Sequence, residues 1–258
     1  MRKPKIIFFD IDGTLKSMQS PSISQTVLDT LCRLKAAGIK LCISTGRSPI
    51  TVPPFPGVEF DAFITFNGSY CFAGDHTIYS NCLPKSDVAT ILSNAKAMGR
   101  YASAATKDRV VANGVERDLA DYFSFATLAL RVTPDFDKIV QGDVFQLMIA
   151  CQEPEYDRLL RGTTGARITA WWEKAVDVIP KGGGKGAAVH KVLDYFGLTP
   201  EDAMAFGDGN NDLEMLQTVG FGVAMGNASQ ALKACAQAVC GSVEEEGVYH
   251  FCLDEGLI

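Results

Sequence analysis

The chain has no excess of positive charge: 24 lysines and arginines stand against 30 aspartates and glutamates in 258 residues, a formal net charge of −6. That balance gives no electrostatic footprint for nucleic acid or for an anionic lipid surface, so the expected partner is a small molecule. Long apolar runs are missing as well. None reaches the roughly 18 residues that a membrane span requires. The eight cysteines (Cys32, Cys42, Cys71, Cys82, Cys151, Cys235, Cys240 and Cys252) form no Cys-x-x-Cys pair, which excludes the usual zinc and redox motifs. They read as reduced, mostly buried small hydrophobes. The first strand begins too early to leave room for a charged n-region and an apolar h-region, so no signal peptide is expected. Together with the reduced thiols this predicts a cytoplasmic protein. Internal repeats and low-complexity tracts are absent, and the sequence does not disclose an oligomeric state.

What the chain does have is Ile6-Ile7-Phe8-Phe9-Asp10-Ile11-Asp12-Gly13-Thr14. Four bulky apolar residues read as a fully buried strand, and Gly13 breaks it, leaving Asp10 and Asp12 at its tip. Alternation places i and i+2 on one face of a strand. Two anions held side by side call for something positive: a metal ion, a lysine, or both.

Downstream, Ser22 and Gln25 fit a capping box for a helix carrying Val27, Leu28, Leu31 and Leu34 at helical spacing, with Gly38 closing it. Residues 39–44 form a second buried strand ending in Thr45-Gly46-Arg47. Strand, helix and strand make a right-handed βαβ unit with parallel strands, so Thr45 shares a sheet edge with Asp10 and Asp12. Ligands of open α/β sheets collect at that carboxyl edge. A third strand over 62–66 meets the turn signal Asn67-Gly68, and a hairpin is expected around Gly74-Asp75. From about Pro84 the pattern changes to helices over 87–98, 116–125 and 154–160, with strands near 101–105, 109–112, 144–150, 167–172 and 175–179. The first pattern then resumes. A helix over 185–196 is closed by Gly197, a strand over 203–206 ends in Gly207-Asp208-Gly209-Asn210-Asn211-Asp212, and strands follow over 221–225 and 238–240. The fold class is therefore α/β, a Rossmann-like parallel sheet flanked by helices on both faces, with an inserted α+β domain. The core is assigned to 1–82 and 182–258, and the insert to 83–181.

Asp208 and Asp212 make a second acidic cluster at the end of a buried strand. An EF-hand is excluded for both clusters, because its sixth position needs Gly and here holds Leu15 or Leu213. Oxygen ligands without His or Cys suit Mg²⁺ better than Zn²⁺. Lys185 is the cation to weigh beside them. It opens a helix, where the macrodipole disfavours a positive side chain, yet it follows Gly182-Gly183-Gly184, whose N–H groups could converge on an anion. A phosphate loop of the Walker type fails, because Ile179 and Gly186 stand where Gly and Ser or Thr are required.

The ordered set Asp10-Ile11-Asp12-Gly13-Thr14, Thr45-Gly46-Arg47, Lys185-Gly186 and Gly207-Asp208-Gly209-Asn210-Asn211-Asp212 resembles the haloacid dehalogenase-like superfamily of phosphohydrolases. The insert between the second and third motifs, the Asn67-Gly68 turn and the segment Gly222-Val223-Ala224-Met225-Gly226-Asn227-Ala228 resemble its Cof-type subfamily, hexose-phosphate phosphatases among them. The resemblance implies an aspartyl-phosphate mechanism. Asp10 would be the nucleophile and Asp12 the general acid and base. Thr45, Gly46, Lys185 and Asn211 would hold the phosphoryl group. Mg²⁺ would lie between Asp10, the Asp12 backbone carbonyl and Asp208, with Thr14 and Asp212 acting from outside that shell.

The interval between Asp12 and Thr45 is too short for the lid of the family's sugar phosphomutases, so the insert over 83–181 resembles the type IIB cap, hinged near 82–84 and 180–184. Arg109, Asn113, Arg117, Trp171, Trp172 and Glu173 are its candidates to face a sugar, with one ring of the Trp pair expected on each face of a strand. Prolines at 49, 53, 54 and 56 disfavour a helix after Arg47. The implied activity is a Mg²⁺-dependent phosphomonoesterase acting on small phosphorylated metabolites, hexose phosphates first. The alternatives are a phosphatase of a flavin-pathway or other non-sugar metabolite, and a non-catalytic phosphometabolite-binding protein.

Overall fold

The computed structural model describes residues 2–258. In chain order its strands are β1 (Ile6–Phe9), β2 (Lys40–Ser44), β3 (Ala62–Thr65), β4 (Tyr70–Ala73), β5 (His76–Ser80), β6 (Ala102–Ala105), β7 (Val110–Ala112), β8 (Gln146–Ala150), β9 (Ala166–Trp172), β10 (Ala175–Pro180), β11 (Ala203–Gly207), β12 (Phe221–Ala224) and β13 (Ala238–Val239). The helices are α1 (Gln25–Ala36), α2 (Lys85–Ala97), α3 (Arg117–Phe125), α4 (Phe136–Ile139), α5 (Tyr156–Leu159), α6 (Lys185–Phe196), α7 (Leu213–Thr218), α8 (Gln230–Cys235) and α9 (Gly247–Asp254). Contacts divide the chain into two compact units. One holds the residues up to Gly46 together with Pro53–Tyr79 and Gly184–Ile258, and the other holds Arg47–Val52 and Ser80–Gly183.

The first unit is built on an eight-stranded sheet of order β13-β12-β11-β1-β2-β3-β4-β5. Its strands from β13 to β3 run parallel, and β4 is antiparallel to β3. All four residues of β1 are buried, as expected for a central parallel strand covered on both faces. Phe9 stacks on Phe206 of β11 at 5.4 Å, and Phe206 meets Phe251 of α9 edge-on. Helix α1 buries Val27, Leu28, Leu31 and Leu34, and α6 buries Ala188, Val189, Val192 and Leu193. The chain leaves β1 toward β2 and β3 on one side, and β11 and β12 lie on the other. Beside β1 the strand order therefore switches direction, and loops open there at the carboxyl edge.

One local expectation is corrected in this unit. The cap of α1 is Ser24 rather than Ser22: the Ser24 hydroxyl accepts from the Val27 N–H at 3.1 Å and donates to Glu246. The Ser22 N–H is instead turned back to Ser20. Thr199-Pro200 opens a single 3₁₀ turn over Pro200–Asp202, which leads straight into β11.

The second unit holds a five-stranded antiparallel sheet of order β7-β6-β8-β10-β9. One face packs Ala102, Ala104, Leu147, Ile149, Val176 and Val178 against Val88, Ile91 and Ala95 of α2 and Leu159 of α5. Helix α3 contacts β8 and β10 and buries Leu119, Tyr122 and Phe123. The Trp pair departs from simple alternation. Pairing of β9 with β10 shifts register near Trp171, so the Trp171 and Trp172 rings lie together, 6.5 Å apart and 26° from parallel. A bulge of this kind breaks the period of two that would put them on opposite faces. After Arg47 the prolines leave only a 3₁₀ turn, Pro49–Thr51.

Candidate active site

The motif residues of the first unit converge at the carboxyl ends of β1, β2 and β11. Asp10 follows β1 directly, and its N–H donates to the Phe206 carbonyl at 3.1 Å, which ties it to β11. Lys185 is the first residue of α6 and is 1% exposed. Its ammonium donates to Asp10 Oδ1 at 2.6 Å and to Asp212 Oδ1 at 2.5 Å. The macrodipole opposes a cation at this end of a helix by about 0.3–1 kcal/mol. Two charge-assisted hydrogen bonds outweigh it.

Asp212 is fully engaged. Its other oxygen accepts from the Asp208 and Gly209 N–H groups at 3.0 and 3.1 Å. Asp208 Oδ1 accepts from the Thr14 hydroxyl at 3.0 Å. That contact needs Gly13, whose φ is +88° and whose place a Cβ could take only 2.2 Å from Asp208 Oδ2. The Asn227 amide donates to the Gly13 carbonyl at 2.8 Å, and its oxygen accepts from the Val243 N–H at 2.9 Å, pinning the loop from the opposite side.

The electrostatics are unbalanced. Carboxylate oxygens of Asp10, Asp208 and Asp212 lie within 4.8 Å of one another, facing a single buried lysine. Burial lifts the Asp10 carboxyl to about 7; Lys185 pulls it back and Asp212 pushes it further up. Burial also raises Asp208 well above the carboxylate range, with Asp10 and Asp212 adding to the shift. Burial by itself would depress Lys185, yet Asp10 and Asp212 prevail and hold it above its ordinary value. Among the described residues, no donor reaches Asp10 Oδ2 or Asp208 Oδ2. A hard divalent cation with oxygen ligands fits this donor set, and Asp212, whose two oxygens already accept hydrogen bonds, fits a supporting place.

Thr45, 2% exposed, and Gly46 follow β2 at the same edge. The Thr45 carbonyl accepts from the Asn67 N–H at 3.0 Å. Asn67 reads from sequence only as a turn residue. In the structure its carboxamide lies 3.1 Å from where a Cβ on Gly46 would stand, and its oxygen accepts from Asn211 Nδ2 at 3.0 Å. Phe66 and Asn67 both have φ of +51°. Two successive non-glycine residues in this region cost on the order of 1–3 kcal/mol each, and such strain concentrates at functional sites. Asn227 is the other residue whose role sequence reasoning missed. The signal was present for both, an Asn at the loop edge of a parallel sheet, but local turn chemistry accounts for such a residue equally well.

Arg47 groups with the second unit, where its guanidinium donates to the Thr51 carbonyl at 2.9 Å and the Ala126 carbonyl at 2.6 Å. Other polar residues of that unit are spent locally. The Asn113 side chain accepts from the Ala102 N–H, Arg109 pairs with Asp108, and Arg117 pairs with Asp121. Trp171 packs on Tyr122 and Trp172 on Phe125, while Glu173 is exposed. All eight cysteines are free thiols. Burial raises Cys42 and Cys71, the latter to about 12, which marks them as inert packing groups. No helix among the described residues is long and apolar enough to cross a membrane.

A parallel sheet whose carboxyl edge gathers an aspartate pair, a buried lysine and a second acidic loop defines a class of hydrolase. A sequence profile of haloacid dehalogenase-like hydrolases matches residues 7–252. The chain belongs to that family, in its Cof-type branch. YkrA of Bacillus subtilis (strain 168) is 32% identical over 260 residues, covering 98% of each chain. The 5-amino-6-(5-phospho-D-ribitylamino)uracil phosphatase YitU of the same strain is 30% identical over 263 residues, covering 96% of each. Among solved structures, the subclass IIB sugar phosphatase BT4131 is similar with a TM-score of 0.88 and 29% identity, over 98% of this chain and 100% of that one.

Proposed function

We propose that the protein is a Mg²⁺-dependent phosphomonoesterase of small phosphorylated metabolites, hexose phosphates first, acting through an aspartyl-phosphate on Asp10. The observation that carries this reading is the Lys185 ammonium shared between Asp10 and Asp212, with Asp208 beside them, at the carboxyl edge of β1 and β11. An Asp10 oxygen attacks phosphorus as the ester P–O bond breaks, and Asp12 protonates the departing alkoxide. Asp12, now a carboxylate, takes a proton from water. That water attacks phosphorus, the bond to Asp10 breaks, and inorganic phosphate leaves.

Lys185, Thr45, the Gly46 N–H and Asn211 bind phosphoryl oxygens through both displacements. Thr14 orients Asp208, and Asp212 orients Lys185. Asp10, the Asp12 carbonyl and Asp208 would hold Mg²⁺, which when bound offsets repulsion between nucleophile and phosphate dianion. The insert over 83–181 is assigned substrate selection, and the protein a cytoplasmic location. A second reading, a phosphatase of a flavin-pathway intermediate, draws on the name of YitU.

Phosphate release from a panel of hexose phosphates, a phosphoribitylamino pyrimidine and other phosphomonoesters, with Mg²⁺ and with chelator, tests both readings. Hexose phosphates should turn over fastest, and only with the metal. A preference for the pyrimidine selects the second reading, and turnover that survives chelation overturns the cation's part.

A further inference from the structure

Two of the groups assigned to the phosphoryl oxygens, the Thr45-Gly46 loop and Asn211, follow different strands, β2 and β11, and something must fix their spacing. We propose that Asn67 is the positioning residue that does so, clamping the phosphate-binding loop after β2 to Asn211 after β11. This rests on the phosphomonoesterase reading of the site. Asn67 is 1% exposed and sits where β3 ends, next to β2 in the sheet. Its N–H donates to the Thr45 carbonyl at 3.0 Å, its carboxamide is against Gly46, and its oxygen accepts from Asn211 at 3.0 Å. One residue therefore touches both groups. It reaches them only because it and Phe66 adopt left-handed backbone, φ +51° at each. The turn is held there from below, since a Cβ on Gly68 would fall 2.2 Å from the Gly184 carbonyl, immediately before Lys185. A turn serving only to reverse the chain would tolerate glycine at 67 and would not need a buried carboxamide.

The separating variant is Asn67→Gly. Glycine takes φ near +51° without strain and keeps the N–H bond to the Thr45 carbonyl, so the turn is retained while the side-chain half of the clamp, against Gly46 and to Asn211, is gone. Inorganic phosphate, titrated calorimetrically in the presence of Mg²⁺, should bind roughly tenfold more weakly, the effect of one misplaced hydrogen bond to a charged group. The rise in Tm on adding Mg²⁺ alone should match wild type, because Asp10 and Asp208 are untouched. Asn211→Ala should weaken phosphate to a similar degree, and the double variant should be no worse than the poorer single.

Phosphate affinity unchanged in Asn67→Gly overturns the proposal, and so do single effects that multiply in the double variant. A variant that loses its Mg²⁺ response together with phosphate is structurally damaged at the site, which also overturns it. Phosphate binding does not require turnover. A wild type that binds phosphate but hydrolyses no ester fails the activity reading alone, and one that binds no phosphate fails both.

Discussion

Each unit buries carboxylates, and it treats them in opposite ways. In the second unit, Asp177 is 1% exposed and accepts from the Tyr122 hydroxyl at 2.6 Å, and Asp87 accepts from the Thr164 and Gly165 N–H groups. Each of these carboxylates has donors of its own, at a separate place in the unit. In the first unit, Asp10, Asp208 and Asp212 share one lysine, and Asp10 is lifted to about 7 by burial. Isolated buried acids, each with its own donors, hold a fold together. Clustered acids with too little counter-charge hold it together less well, and such imbalance marks a site built for something to be bound.

Removing the lysine should break the comparison most sharply. Lys185→Met leaves Asp10 and Asp212 buried without their shared cation. Urea unfolding near neutral pH should show a loss of about 3–5 kcal/mol, with phosphatase activity at background. The next effect is that of the cation. At about a hundred times its dissociation constant, Mg²⁺ should stabilise the protein by about 2.7 kcal/mol.

That gain should depend on pH. Asp10 has a folded pKa of about 7, above its unfolded value near 4, so without metal its contribution favours the fold below about pH 4 and is lost as pH rises through about 7. Mg²⁺ competes with that proton. Its Tm increment should therefore be larger near pH 8 than near pH 5.5, and an increment independent of pH would remove Asp10 from the cation's ligands.

In the second unit, Tyr122→Phe withdraws the hydroxyl donor from Asp177 and should cost about 2 kcal/mol in the same unfolding assay, with no Mg²⁺ dependence. The smallest effect belongs to Arg117→Ala. Arg117 is 92% exposed and 3.8 Å from Asp121, and its loss should move stability by less than about 0.5 kcal/mol.

Much of this difference is legible in the sequence, because strong local patterns and global topology agree. Ile6-Ile7-Phe8-Phe9 can be little other than a buried strand, and the ordered motifs around Asp10, Thr45, Lys185 and Asp208 bring their own spatial logic through the parallel sheet. Long-range side-chain partnerships are not legible. That Asn67 meets Asn211, that Asn227 reaches back to Gly13, and that Arg47 bonds Ala126 all depend on loop geometry that no period encodes. The Trp171-Trp172 pair misleads for the same reason, since a bulge in one strand cancels the alternation on which the expectation rests. Ser24 displaces Ser22 as a cap because both suit the role locally, and the partner that singles out Ser24, Glu246, comes from the far end of the chain.

The central claim is that Asp10 carries the chemistry. The most direct measurement is inorganic phosphate release, from the best ester of the panel with saturating Mg²⁺, by wild type and by Asp10→Asn. The substitution keeps the side chain's size while removing its charge as nucleophile. Turnover falling to background in a variant that stays folded is the predicted result. Turnover near the wild-type rate in Asp10→Asn would contradict the account.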